Sequence, residues 1–243
     1  MRDYYKNLAI HCQGDYHRMV KLLEKDVAIP HYHYSGQYVT IVDEAYPKAL
    51  FDLEYKPLVL FYEGNLDIIN KSVCVSIIGS RKPSVYALGA TEKLVYLLRE
   101  KYTIVSGLAY GIDICAHINS LDFKGVAVLG CGIDVVYPKA HTWVFDKMCK
   151  DHCILSEYPK GVQPKKHHFP FRNRIIAALS KRLYVMAATH QSGTIKTVEE
   201  AVKINRDIYC LPHNIFELSG QGCNALIADG AGVISTLDTL EKL

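Results

Sequence analysis

Val73-Cys74-Val75-Ser76-Ile77-Ile78-Gly79-Ser80-Arg81-Lys82-Pro83-Ser84 runs from an apolar, β-branched segment through a glycine into a Pro-Ser pair. Residues 73–78 read as a strand covered on both faces, because a half-solvated strand would alternate polar and apolar side chains. Ser84 is placed to cap a helix over 86–100, with Pro83 just before it. Gly79 lets the backbone come close to a ligand. Ser80 and the amides of the turn can donate to a phosphate, and Arg81 can pair with one through two nitrogens. A tight turn with no ligand would use the same glycine.

The pattern repeats on the carboxyl side. Further strand-like runs fall at 103–106, 126–129, 153–156, 183–187, 208–211 and 232–235, and helical patterns at 111–121, 141–150, 172–179, 194–205 and 222–228. Strands alternating with helices at this spacing imply an α/β fold with a Rossmann-like, doubly wound, mostly parallel sheet. On the amino side the regularity stops. Residues 1–65 read as a small, partly helical N-terminal extension, with a helix over 16–25 and a short strand over 38–42, and residues 66–243 as the Rossmann-like domain.

Ligands of such a sheet bind at the carboxyl ends of its strands. After 103–106 come Ser106 and Gly107, with Gly111 four residues on. The pair lacks the full Gly-x-Gly-x-x-Gly spacing, so it argues weakly for a dinucleotide. His117 stands one helical turn beyond Asp113 and can pair with it. Gly130 and Gly132 mark a third turn, and Ser192-Gly193-Thr194 opens the helix at 194 as a further anion cradle. One phosphate needs one such turn; several along one sheet edge suit a polymer.

Charge points the same way. The 243 residues carry 28 Lys and Arg against 25 Asp and Glu, and no acid occurs over residues 158–198, where eight of those cations lie. A basic segment on an otherwise acidic chain is the footprint of a polyanion site, and it is expected to face one groove together with Arg81. Within it, Lys165-Lys166-His167-His168-Phe169-Pro170-Phe171-Arg172-Asn173-Arg174 mixes cations with aromatic rings, the chemistry of single-strand binding. Apolar residues at 49% and charged ones at 22% exclude a disordered or fibrous chain. No apolar run reaches the ~18 residues of a membrane span, and the first residues form no secretory signal, so a cytoplasmic protein is expected. The eight cysteines form no Cys-x-x-Cys, and His31 and His33 lack a third ligand, so neither metal nor cofactor is expected.

The blocks Ile78-Gly79-Ser80-Arg81, Ser106-Gly107-Leu108-Ala109-Tyr110-Gly111-Ile112-Asp113, Leu129-Gly130-Cys131-Gly132-Ile133-Asp134-Val135-Val136-Tyr137-Pro138 and Phe169-Pro170-Phe171-Arg172-Asn173-Arg174-Ile175-Ile176-Ala177 resemble the DNA-processing protein A family (DprA, also called Smf). Ser192-Gly193-Thr194 and Gly222-Cys223-Asn224-Ala225-Leu226-Ile227 fit its later blocks. The resemblance implies a homodimer that binds single-stranded DNA, loads the RecA recombinase on it during natural transformation, and catalyses no reaction. It assigns the DNA contact to Arg81, Lys166 and Phe169, with Arg172, Asn173, Arg174, Ser192, Gly193 and Thr194 in the same pocket; the turn residues Gly79, Ser80, Ser106 and Gly107 are expected to add backbone and hydroxyl contacts. Gln191 and Ala225 depart from the family pattern, which often has basic residues there. The winged-helix module of many members is expected to be missing. The large apolar residues Ile215, Phe216, Leu218 and Leu226 are the expected dimer contact.

Two alternatives use the same fold. A nucleotide phosphoribohydrolase resembles this pattern but places a catalytic Glu where Thr197 stands, so the general base is absent. A small-nucleotide sensor would need only one of the phosphate turns.

Overall fold

The computed structural model describes residues 1–236. Its strands are β1 (Gln37–Thr40), β2 (Val59–Gly64), β3 (Cys74–Ile78), β4 (Thr103–Ser106), β5 (Gly125–Gly132), β6 (Cys153–Tyr158), β7 (Arg182–Val185), β8 (Asp207–Cys210) and β9 (Gly232–Val233). They form one sheet in the order β1-β2-β6-β5-β4-β3-β7-β8-β9. From β6 to β9 every neighbour is parallel, while β1 and β2 join antiparallel at the β6 side. All seven strands expected from 73 onward are present. The expected N-terminal region therefore has no sheet of its own: its strands extend the one sheet, with Phe61 of β2 opposite Ser156 of β6. Residues 237–243 of the expected 66–243 domain lie outside the described residues.

The helices are α1 (Arg2–His11), α2 (Tyr16–Glu24), α3 (Asp67–Lys71), α4 (Val85–Leu98), α5 (Ile112–Ser120), α6 (Thr142–Asp151), α7 (His168–Ala178), α8 (Gly193–Lys203) and α9 (Gln221–Ala228). Strand side chains alternate between two cores, as period two requires. Cys74, Val126, Val128 and Leu155 face α3, α7 and α8. Val75, Ile77, Ala127 and Leu129 face the other layer, where α1, α2 and α6 cover one half and α4 and α5 the other. Ser84 caps α4, its hydroxyl accepting the Ala87 amide at 3.2 Å, as its place after Pro83 predicts. No helix among the described residues is long and apolar enough to cross a membrane.

This strand order contains a reversal. The chain winds from β3 out to β6 with α4, α5 and α6 on one face, then crosses by α7 on the other face to β7, which pairs with β3. The turns leaving β3 and β7 diverge to opposite layers and leave a crevice at their carboxyl ends, where such folds bind ligands.

Candidate functional site

A cavity of about 570 Å³ occupies this crevice. Five chain segments build it: the turn after β3, the loop after β4, the loop after β5, the first turns of α7 with the residues just before them, and the start of α8. Gly79 is required at the first: a Cβ there would lie 2.5 Å from Ile112 Cγ1. The Ser80 amide donates to the Ala187 carbonyl at 2.7 Å, which ties the β3 turn to β7 and fixes where Arg81 emerges.

α7 decides what the cavity contains. It begins at His168, four residues before the start at 172 expected from sequence, because Pro170 sits in its first turn, where no amide donor is needed. Phe169 is thus on a helix rather than a loop. With about 100° per residue, Phe169, Arg172, Asn173 and Ile176 fall on one face, and all four line the cavity. Two glycine contacts set the depth of the helix. A Cβ on Gly130 would come within 2.8 Å of the Phe169 ring, and one on Gly107 within 2.6 Å of the Arg172 guanidinium. His168 donates from Nδ1 to the Gly130 carbonyl at 3.2 Å and stacks on Tyr158 at 4.0 Å, anchoring the same turn to β5 and β6.

The site residues named from sequence divide into three groups. Gly79, Ser80, Arg81, Lys166, Phe169, Asn173, Ser192, Gly193 and Thr194 line the cavity. Arg81 and Lys166 are exposed and have no ion-pair partner among the described residues. The Arg81 guanidinium lies 5.6 Å from the Phe169 ring centre. Arg172 also lines the cavity, but as its floor: it is 4% exposed and donates to the carbonyls of Gly107, at 2.9 Å, and of Val128. Ser106 and Gly107 lie beneath it, the Ser106 hydroxyl donating to the Ile77 carbonyl at 2.6 Å.

Arg174 is turned away. It forms a buried two-nitrogen ion pair with Glu157, 2.6 Å for each bond, under the Phe171 and Tyr16 rings. The acid-free segment therefore does not face one groove as a whole. Arg174 is neutralised, and Lys181 and Arg182 stand at the opposite end of β7, because a parallel strand begins at the other sheet edge. Lys166 carries the segment's free charge at the cavity.

Three features were missed by sequence reasoning. Tyr137 lines the cavity with its ring 5.5 Å from Phe169, and Thr197 lines it from α8. Asp113 lies on the floor with Arg172 rather than pairing with His117. Burial pushes the Asp113 carboxyl above the usual range, while Arg172 pulls the other way. The i, i+3, i+4, i+7 spacing of Phe169 would have exposed the lining of α7. Tyr137 comes to the cavity from the loop after β5. Asn173 closes the far wall, donating from Nδ2 to the Gly193 carbonyl at 3.2 Å and so tying α7 to α8. At that helix start the Ser192 hydroxyl is buried with no partner among the described residues.

The family profile of DNA recombination-mediator protein A matches residues 37–243. DNA processing protein DprA of Streptococcus pneumoniae is 42% identical over 199 residues, 81% of this chain and 70% of that protein. Protein Smf of Synechocystis is 40% identical over 84% of this chain, which spans 53% of the Smf protein. Among solved structures, DNA processing protein A of S. pneumoniae superposes with a TM-score of 0.82 at 38% identity, covering 91% of this chain and 78% of the other. A structure describing the single-stranded DNA binding mode of DNA processing protein A from Helicobacter pylori superposes with a TM-score of 0.78 at 32% identity, covering 85% and 94%.

Proposed function

The chain belongs to the DNA recombination-mediator protein A family, and from that premise we propose that its cavity binds single-stranded DNA. The observation that carries the reading is the meeting of two exposed cations, Arg81 and Lys166, with the partly open ring of Phe169 at one cavity mouth. Cations neutralise phosphates, the ring offers a face to an unstacked base, and the amides at the start of α8 point at a further anion. Gly79, Ser80, Asn173, Ser192, Gly193 and Thr194 contact the strand. Arg172 and, beneath it, Ser106 and Gly107 act by holding the floor. Duplex DNA, with its bases already stacked, cannot use the ring. Titration of oligo-dT across salt should give a log–log slope of roughly −0.7 per phosphate contacted, with duplex of equal length binding much more weakly. A slope near zero, or equal affinity for duplex, would overturn the reading.

We further infer that the protein delivers the bound strand to the RecA recombinase in natural transformation, in the cytoplasm and without catalysing a reaction itself. Asp113, the one carboxylate lining the cavity among the described residues, lies against Arg172 and accepts from the amides of Ala109 and Gly107, which leaves it poorly placed as a general base. The homodimer contact is assigned to Ile215, Phe216 and Leu218, which are 74%, 85% and 72% exposed; Leu226 of α9, expected with them, packs against the hydrophobic core instead. Three large apolar side chains within four residues in water favour a partner surface. Leu218→Arg should shift sedimentation from dimer to monomer at micromolar concentration; a variant that stays dimeric moves the interface elsewhere.

A further inference from the structure

Tyr110 stands one residue beyond Ala109, which lines the cavity. Its loop is packed onto the turn that carries Arg81. The Ile112 amide donates to the Ser80 carbonyl at 3.2 Å, and a Cβ on Gly111 would lie 2.3 Å from that oxygen and 2.8 Å from the Arg81 carbonyl carbon. The backbone that follows Tyr110 is thereby held against the turn that carries Arg81. The Tyr110 ring is 49% exposed but not loose. Buried His141 meets it nearly at right angles, centroids 4.9 Å apart, and His141 is itself held by a 2.9 Å bond from Nδ1 to the Leu108 carbonyl. A large, half-open ring held by a buried side chain has lost its rotamer freedom before any ligand arrives, which lowers the cost of stacking on it.

Exposed cations stand on both neighbouring turns. Lys82 follows Arg81, and Lys139 lies two residues before His141; both are exposed. Among the described residues neither forms an ion pair. Phe169 with Tyr137 and Arg81 beside it, and Tyr110 on the loop packed against the Arg81 turn, thus put rings and exposed cations on adjoining turns. Such an arrangement suits a chain of bases joined by phosphates better than a protein surface, which would have to bring carboxylates at the same spacing.

We propose that Tyr110 is a second base-stacking position for the DNA strand whose neighbouring base occupies the cavity, with Lys82 and Lys139 neutralising the phosphates that lead to it. This rests on the single-strand reading of the cavity. It adds that the site extends past the cavity on the β4 and β5 side, so that affinity depends on strand length.

The test is a ladder of oligo-dT from about two to about twelve nucleotides, titrated at one salt concentration against the wild-type protein, Tyr110→Ala and Tyr110→Phe. Tyr110→Ala should lose roughly 5- to 100-fold on the longest strands and little on the shortest, while Tyr110→Phe, which keeps the ring, retains most of the affinity. With the ladder repeated at several salt concentrations, Lys82→Ala with Lys139→Ala should flatten the salt slope on long strands alone. Equal losses at every length, or none on the longest, would overturn the second position and leave the cavity reading standing. A wild-type protein that binds no length of oligo-dT would remove the cavity reading, and this one with it.

Discussion

Phe169 and Lys166 stand three residues apart, share one cavity and do different work. The ring is partly buried against Gly130 and Tyr137, with Arg81 at 5.6 Å, whereas Lys166 is exposed. Phe169→Ala should weaken single-strand binding by about 1–3 kcal/mol while leaving the salt slope nearly unchanged, since no phosphate contact is lost. It should also lower the melting temperature modestly, because the ring packs on β5. Lys166→Ala should do the reverse: a smaller loss of affinity, a flatter slope by roughly 0.7, and an unchanged melting temperature. Both are read from one oligo-dT titration at several salt concentrations with a thermal melt of each variant. If Phe169→Ala melts earlier yet binds normally, the ring serves packing alone. The sequence presented Arg172 and Arg174 as equivalent neighbours of this pair. They differ by 200° around a helix, so one forms the floor and the other is buried against Glu157.

At the scale of elements, the start of α8 offers a cleaner separation of charge from fold. Ser192 makes no side-chain cap bond, Gly193 follows as the first helical residue, and a Cβ there would meet nothing within 4 Å. Gly193→Asp should therefore fit. A carboxylate in the first turn complements the helix dipole by about 0.3–1 kcal/mol, and removing a helical glycine adds up to about 1 kcal/mol. The same charge faces the proposed phosphates. Stability and DNA affinity should move in opposite directions, the melting temperature up and oligo-dT binding down, while Gly193→Ala raises stability with little effect on binding. An Asp variant that melts higher and binds as well as wild type would show that no phosphate reaches α8. This turn was legible because Ser-Gly-Thr before an amphipathic run marks a helix start by itself. The start of α7 was not, because Pro170 looks like a breaker until its place in the first turn is known.

For the whole molecule, legibility followed burial. Strands β3 to β7 have both faces covered, so their sequences are continuous apolar runs that stand out unaided. β2 and α1 did not stand out. β2 ends in Tyr62-Glu63-Gly64 on a half-open stretch, and α1 hides only Lys6, Asn7, Leu8 and Ala9, too few to set a helical period. The same close packing leaves histidines in places where a proton is costly. His117 is fully buried, and burial together with neighbouring His152 pushes it down to about 3. Burial also lowers His152 and His168. Each is a base whose folded value lies below its unfolded one. The unfolded chain therefore takes up protons first as pH falls, and the stability these residues contribute is full above about pH 6.5 and lost below it, by up to ~1.4 kcal/mol per pH unit for each group. Asp113, raised by burial, acts in the opposite sense on acidification but is one group against three. The melting temperature should fall steadily from about pH 6.5 towards pH 4.5. His117→Met removes the most strongly shifted of these groups and should reduce that slope, bringing the variant's profile nearer to flat. If the variant's profile runs parallel to the wild type's over this range, His117 takes up its proton in the folded protein as readily as in the unfolded chain, and its burial is not what makes the fold acid-sensitive.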